Sequence, residues 1–215
     1  MKKAFLFLSL ATLLLSAVKV NAQVGFHAGY APQFLSVTNK NADGAVVDPG
    51  VFHGFFGGIR LDYDLVDNLD IVTSLQIRMN SANSKSVNNG TPYDTQDWQF
   101  IADLPILLSY AFDLGHDVNL GLCVGPMLSY GISYMHKERD AQTHAIVNSI
   151  NRYSTKLADP SWCLKRFELG AAGGLFVEYK GFVFFGGYRM AFNDLDRMSE
   201  QATRAHGFFV GVGVN

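Results

Sequence analysis

Several stretches of the chain alternate apolar and polar residues with a period of two. The cleanest is Leu69 to Asn80. It sets Leu69, Ile71, Thr73, Leu75, Ile77 and Met79 on one face, against Asp70, Val72, Ser74, Gln76, Arg78 and Asn80 on the other. From Gln99 to Tyr110, Phe100, Ala102, Leu104, Ile106, Leu108 and Tyr110 oppose Gln99, Ile101, Asp103, Pro105, Leu107 and Ser109. From Val118 to Ser133 the apolar face carries Val118, Leu120, Leu122, Val124, Leu128, Tyr130 and Ile132. Weaker segments lie at Val24 to Leu35, Phe52 to Tyr63, Leu164 to Tyr179, Phe182 to Phe192 and Ala205 to Val214. That makes eight predicted strands, each at least the ~9–11 residues that cross a bilayer at a tilt.

The connections alternate in length. Asp64 to Asn68, Asp113 to Asp117 and Lys180-Gly181 are tight and turn-like. Val37 to Gly50, Ser81 to Gln96, Met135 to Cys163 and Asn193 to Arg204 are long and polar, and Lys137 to Ile150 is expected to hold a short helix. Short turns at one rim and long loops at the other predict an all-β fold: an eight-stranded antiparallel up-and-down transmembrane β-barrel.

The face chemistry sets the orientation. One face is bulky and aliphatic, with no Lys or Glu. The other mixes Gly and Ser with isolated charges: Arg60, Asp62, Arg78, Asp103, Arg166, Glu168, Glu178 and Arg189. Small residues with opposite charges suit a narrow lumen filled by side chains. A charge on the lipid face would cost ~2–4 kcal/mol near the midplane. Arg60, Arg78, Asp103, Arg166, Glu168, Glu178 and Arg189 are therefore the expected lumen network, blocking conduction. Two aromatic belts are expected at the rims, with Tyr30, Phe52, Trp98, Tyr130, Tyr134, Trp162 and Phe192 at the loop end. Tyr63, Tyr110, Phe112, Tyr179 and Phe182 form the turn-end belt. Pro105 and Pro126 fall inside strands and require local irregularities. The segment Val183 to Ala191 does not alternate cleanly, and Arg189 is placed inward because the alternative is costlier.

Composition agrees with a folded chain. Of 215 residues, 48% are hydrophobic and 17% charged, which excludes a disordered polyelectrolyte, and a net charge of −2 gives no reason to expect nucleic acid. Residues 1–22 read as a signal peptide: Lys2 and Lys3, an apolar run from Ala4 to Val18, then Val20-Asn21-Ala22 for cleavage. Removing them takes away three lysines and no acid, so the exported domain 23–215 carries a net charge of −5. Cys123 and Cys163 fall near opposite ends of neighbouring strands, too far apart to bridge, and are expected as free thiols.

Three segments resemble a known family. Trp98-Gln-Phe-Ile-Ala-Asp-Leu-Pro-Ile-Leu-Leu-Ser-Tyr110 is similar to the fourth-strand signature of PorT-like outer-membrane β-barrel proteins, and Leu122-Cys-Val-Gly-Pro-Met-Leu-Ser-Tyr130 to their following strand. Glu168 to Leu175 with Glu178-Tyr179-Lys180-Gly181 is similar to their sixth strand and turn. The C-terminal Gly207-Phe-Phe-Val-Gly-Val212 fits a pattern read by barrel-assembly machinery, although the chain ends in Asn215 and not in an aromatic. The resemblance spans the exported domain and implies its fold. It also makes Pro105 and Pro126 expected features. The namesake's role in secretion and surface assembly does not follow from it.

Catalytic groups would sit at the loop rim, where His53, Asp94, Asp97, His136, Glu138, Asp140 and His144 are candidates. None forms a recognisable motif. The reading is a monomeric, non-enzymatic outer-membrane barrel without metal or cofactor. Its partners are the lipid bilayer, the assembly machinery during insertion, and an unidentified extracellular ligand or periplasmic protein. The alternatives are a PorT-like accessory factor docking partners at a rim, and a soluble exported barrel holding an apolar ligand.

Overall fold

The computed structural model describes residues 22–39, 46–47, 50–88, 91–154, 163–196 and 201–215. Eleven strands among them form one antiparallel sheet: β1 (Ala22–Tyr30), β2 (Gln33–Asn39), β3 (Val46–Val47), β4 (Val51–Val66), β5 (Leu69–Asn88), β6 (Thr91–Asp113), β7 (Val118–Asp140), β8 (Ile146–Asn151), β9 (Phe167–Tyr179), β10 (Phe182–Ala191) and β11 (Gln201–Val214). The sheet closes on itself, because β1 pairs with both β4 and β11. β2 pairs with the same two neighbours, so β1 and β2 share one place in the wall. The Ala31-Pro32 step separates them, since proline has no N–H for the ladder.

The wall thus has eight places in meander order, as the alternation predicts. The strand count rises to eleven through that break and through β3 and β8, which pair only at the loop end. The tight connections are where expected. Lys180 and Gly181 both take positive φ (51° and 81°), the geometry of a two-residue hairpin whose twist matches its strands.

The polar stretches expected as long loops are mostly strand. β5 runs on to Asn88 and β6 begins at Thr91, so Ser81 to Gln96 is a hairpin rising beyond the rest of the barrel. Lys137 to Ile150 is a β7–β8 hairpin and not a helix. Apart from Ile146, Val147 and Ile150 of β8, the faces of these extensions are mostly polar, which hides their strand period.

The faces are inverted relative to a water-soluble barrel. Leu75 is 48% exposed and Leu122 43%, while Arg78 is 1% and Asp103 0% exposed. Val24, Phe26, Phe55, Leu175, Phe184 and Val212 extend the exposed apolar girdle around the barrel. From Leu69 to Met79 the outward face spans about ten residues. At ~3.3 Å per residue and a tilt of ~40° this is about 25 Å, the height of an apolar band.

Both strand prolines sit at interruptions of the ladder. β5–β6 pairing lapses at Leu104-Pro105, and β6–β7 pairing lapses opposite Gly125-Pro126. The freed Pro105 carbonyl accepts a bond from the Thr73 hydroxyl at 2.8 Å. In β10, Val183, Arg189 and Ala191 are buried while Phe182, Phe184, Tyr188 and Met190 are exposed. Arg189 therefore points inward, as its cost demanded.

Candidate functional site in the barrel lumen

The lumen is filled in layers. At the loop end, Leu35, Phe52, Tyr134, Tyr153, Leu164 and Leu195 form an apolar cap. Tyr153, Leu164 and Leu195 come from the loop-end connections, folded over the mouth. The cap overturns two expected belt positions. Phe52 and Tyr134 are 2% and 1% exposed and face inward, their rings edge-to-face at 6.2 Å.

A β-bulge explains Tyr134. Ser133 pairs with Phe100 and Gly131 with Ile101, leaving Ile132 unmatched. One extra residue reverses the parity of the strand beyond it. Tyr130 and Ile132 therefore face out, and Tyr134 faces in. Trp162 lies outside the described residues. Trp98, Tyr110, Phe112, Tyr179, Phe182 and Phe192 are all more than a third exposed, Tyr30, Tyr63 and Tyr130 partly so.

Beneath the cap lies an ionic layer. Arg78 on β5 donates to Asp103 on β6 through two bonds, Nε to Oδ2 at 2.8 Å and Nη2 to Oδ1 at 3.1 Å. Gln33 on β2 is the hub across the barrel. Its Oε1 accepts from Arg78 Nη1, from Asn80 Nδ2 at 3.0 Å and from Arg189 Nη2 at 3.0 Å. Gln99 Oε1 accepts from Asn80 at 3.1 Å. Arg78, Asp103, Glu168 and Arg189 are all buried, two of each sign. Charges held this way need partners, because desolvation costs several kcal/mol per ion.

Three expected network members lie elsewhere. Arg60 pairs with Asp62 at 2.7 Å near the turn end. Glu178 sits one residue from the Lys180-Gly181 hairpin's strand end and makes no ion pair among the described residues. Arg166 precedes β9 and does not pair with Glu168. Its Nη1 donates to the carbonyls of Gly131 at 2.9 Å and of Ile132 at 2.7 Å, beside the bulge, and its guanidinium lies over the Tyr153 ring at 5.2 Å. Arg166 thus clamps the bulge to the cap.

The structure brings together three of the rim candidates. His136 Nδ1 donates to Asp97 Oδ1 at 2.8 Å, and its Nε2 lies 3.6 Å from Glu138 Oε1. Glu138 also accepts from Asn148 Nδ2 at 3.2 Å. These residues lie beyond the outward apolar band. The hydrogen bond to Asp97 raises the His136 pKa above the ordinary histidine value, against the lowering effect of burial. The other candidates are scattered. Tyr30 donates to His53 Nδ1 at 2.6 Å on the outer face. Asp94 stands in register between Lys85 and Arg139. Asp140 accepts from the N–H groups of Gln142 and Thr143, which hold its carboxyl below the usual range, and His144 occupies the same turn. Among the described residues no group of three His, Cys, Asp or Glu is placed to hold a metal ion.

No family model matches the chain, and neither does any curated protein. Among solved structures the chain is similar to Ail of Yersinia pestis in complex with the heparin analogue sucrose octasulfate (11% identity, 89% of this chain and 98% of that one, TM-score 0.41). It is also similar to the outer membrane protein OprG from Pseudomonas aeruginosa (13%, 91% and 96%, TM-score 0.40). A third is the outer membrane protease OmpT from Escherichia coli (9%, 91% and 97%, TM-score 0.43). Likenesses of this size transfer no activity, ligand or partner.

Gln33, Asn80 and Gln99 are the members of the lumen network that charge alone misses. Parity was the available signal, since Asn80 shares a face with Arg78 and Gln99 with Asp103. Both cysteines are free. Cys123 lies in the lumen wall, and buried Cys163 donates to the Ser154 carbonyl at 3.1 Å.

Proposed function

We propose that the chain is a small, monomeric outer-membrane β-barrel with a closed lumen that holds polar β-hairpins outside the cell. The observation that carries this reading is the inverted burial of the wall. A girdle of exposed Leu, Val, Ile and Phe surrounds Arg78, Asp103, Glu168 and Arg189, which are almost fully buried. In water such a girdle would drive aggregation, whereas in lipid it is the favourable face. Residues 1–22 serve as the export signal, cleaved after Ala22, and the barrel-assembly machinery inserts the mature chain. The Leu104-Pro105 and Gly125-Pro126 strand motifs support grouping it with PorT-like barrels in fold. No catalytic role is assigned.

The test is fractionation combined with heat-modifiable gel mobility. The expected result is a membrane-bound protein whose unheated form migrates faster than the boiled one. Recovery of the mature chain from a detergent-free soluble fraction would contradict it. In planar bilayers the cap and ionic layer predict no stable large conductance.

A further inference from the structure

The ionic layer leaves one cation only partly engaged. Arg189 is 5% exposed, and only its Nη2 has a partner, at Gln33; Nε and Nη1 are buried without one. Asp103 is occupied by Arg78, and no carboxylate lies within 4.0 Å of Arg189 among the described residues.

Arg189 lines a cavity of about 100 Å³ on the turn-end side of the layer. Its polar wall includes Arg78, Asp103, Gln76 and His27, whose Nδ1 also lacks a partner. Phe56, Phe176, Phe185 and Phe209 also line it, with the His27 ring 5.8 Å from Phe56 and 6.1 Å from Phe185. The cavity reaches Arg60 and Cys123, both partly exposed. On this lining Arg60 is paired with Asp62 and Arg78 with Asp103, which leaves Arg189 as the cation with unengaged N–H groups, and Glu168 does not line it. The chamber therefore combines unengaged N–H groups of Arg189 with phenylalanine rings. At roughly 10–15 Å³ of such volume per water, it has room for about seven to ten non-hydrogen atoms.

We propose that this chamber binds a small amphiphilic carboxylate, entering from the turn end. The carboxylate accepts hydrogen bonds from the unused N–H groups of Arg189, and the apolar body lies against the four phenylalanines. An anion there satisfies the unused N–H groups of Arg189, and the tail replaces water against rings that cannot hydrogen-bond to it.

Cys123 is a built-in reporter, since its thiol lines the chamber. In the full-length mature chain carrying Cys163→Ala, folded in detergent micelles, a small methanethiosulfonate modifies Cys123. Hexanoate is expected to slow that reaction saturably, by about tenfold when its concentration reaches about ten times Kd. 1-Hexanol is expected to give no such protection, and Arg189→Gln to abolish the protection by hexanoate. Absence of protection by hexanoate would mean that the chamber holds only water and would overturn the proposal. Equal protection by acid and alcohol would show a greasy slot without anion recognition, and would overturn it equally. That comparison uses native Arg189, so it decides the matter even if Arg189→Gln does not fold.

Discussion

The barrel on the turn side of the Ile132 bulge and the hairpins beyond it are built from the same antiparallel ladder, yet they bury opposite kinds of side chain. On the turn side, the wall turns a girdle of apolar residues out and encloses an ionic layer around Gln33 with phenylalanines beneath it. Just beyond the bulge the inward side packs an apolar cap containing Tyr134 and Tyr153, and farther out the β5–β6 extension is polar on both faces. A strand announces its period in sequence only where its two faces meet different solvents. The wall lies between lipid and lumen. The hairpins rise into water on both sides.

This contrast can be broken most sharply at the ionic layer. Asp103→Leu should destabilise the barrel by about 3–5 kcal/mol, because it removes the carboxylate that accepts two hydrogen bonds from buried Arg78. Pairing it with Arg78→Met should restore much of the loss. Urea unfolding in lipid vesicles measures both.

The outer face provides the next test. Leu75→Arg should cost about 2–4 kcal/mol in the same assay, whereas Asn83→Arg, outward on the same strand but beyond the band, should cost about 0–1 kcal/mol. Equal costs would mean that the band ends elsewhere.

At the cap, Gly131→Ala should cost about 1–3 kcal/mol through overpacking. A Cβ at Gly131 would stand 2.2 Å from Cζ of Tyr153, an aromatic ring held between Gly131 and Tyr134. Limited proteolysis should then cut the 152–166 region faster while the wall stays intact.

The smallest effect is at His136. Its folded pKa lies above the ordinary value of 6.5, so its stabilisation is complete below that value and fades as pH rises through the folded one. Amide exchange in the loop-end parts of β6 and β7 around Asp97 and His136, compared with the unfolding of the wall, should therefore quicken on passing from mildly acidic to mildly alkaline pH. The change should be worth less than about 1 kcal/mol and vanish in Asp97→Asn.

The wall was legible from residue pattern to a large degree. Leu75, Ile106 and Leu122 face out and Arg78, Asp103, Glu168 and Arg189 face in, as alternation and charge cost require. Parity misled beyond Ile132, where an unmatched residue turned Tyr134 inward. Phe52 was assigned to a belt because it is aromatic and near a strand end, although it alternates with exposed Val51 and His53. Arg60 and Arg166 have the right charge and face, but each meets a nearer partner, Asp62 in one case and the carbonyls at the bulge in the other. The meeting of Asp97 with His136 depends on register across 39 residues of chain, which no local motif encodes.

The most direct measurement is carbene labelling of the wild-type protein in vesicles, with a photoprobe confined to the acyl chains and sites mapped by mass spectrometry. An inside-out barrel predicts adducts on Leu75, Ile77, Ile106 and Leu122 and none on Arg78, Asp103 or Ser129. Adducts on the second set without the first, or none on either, would contradict it.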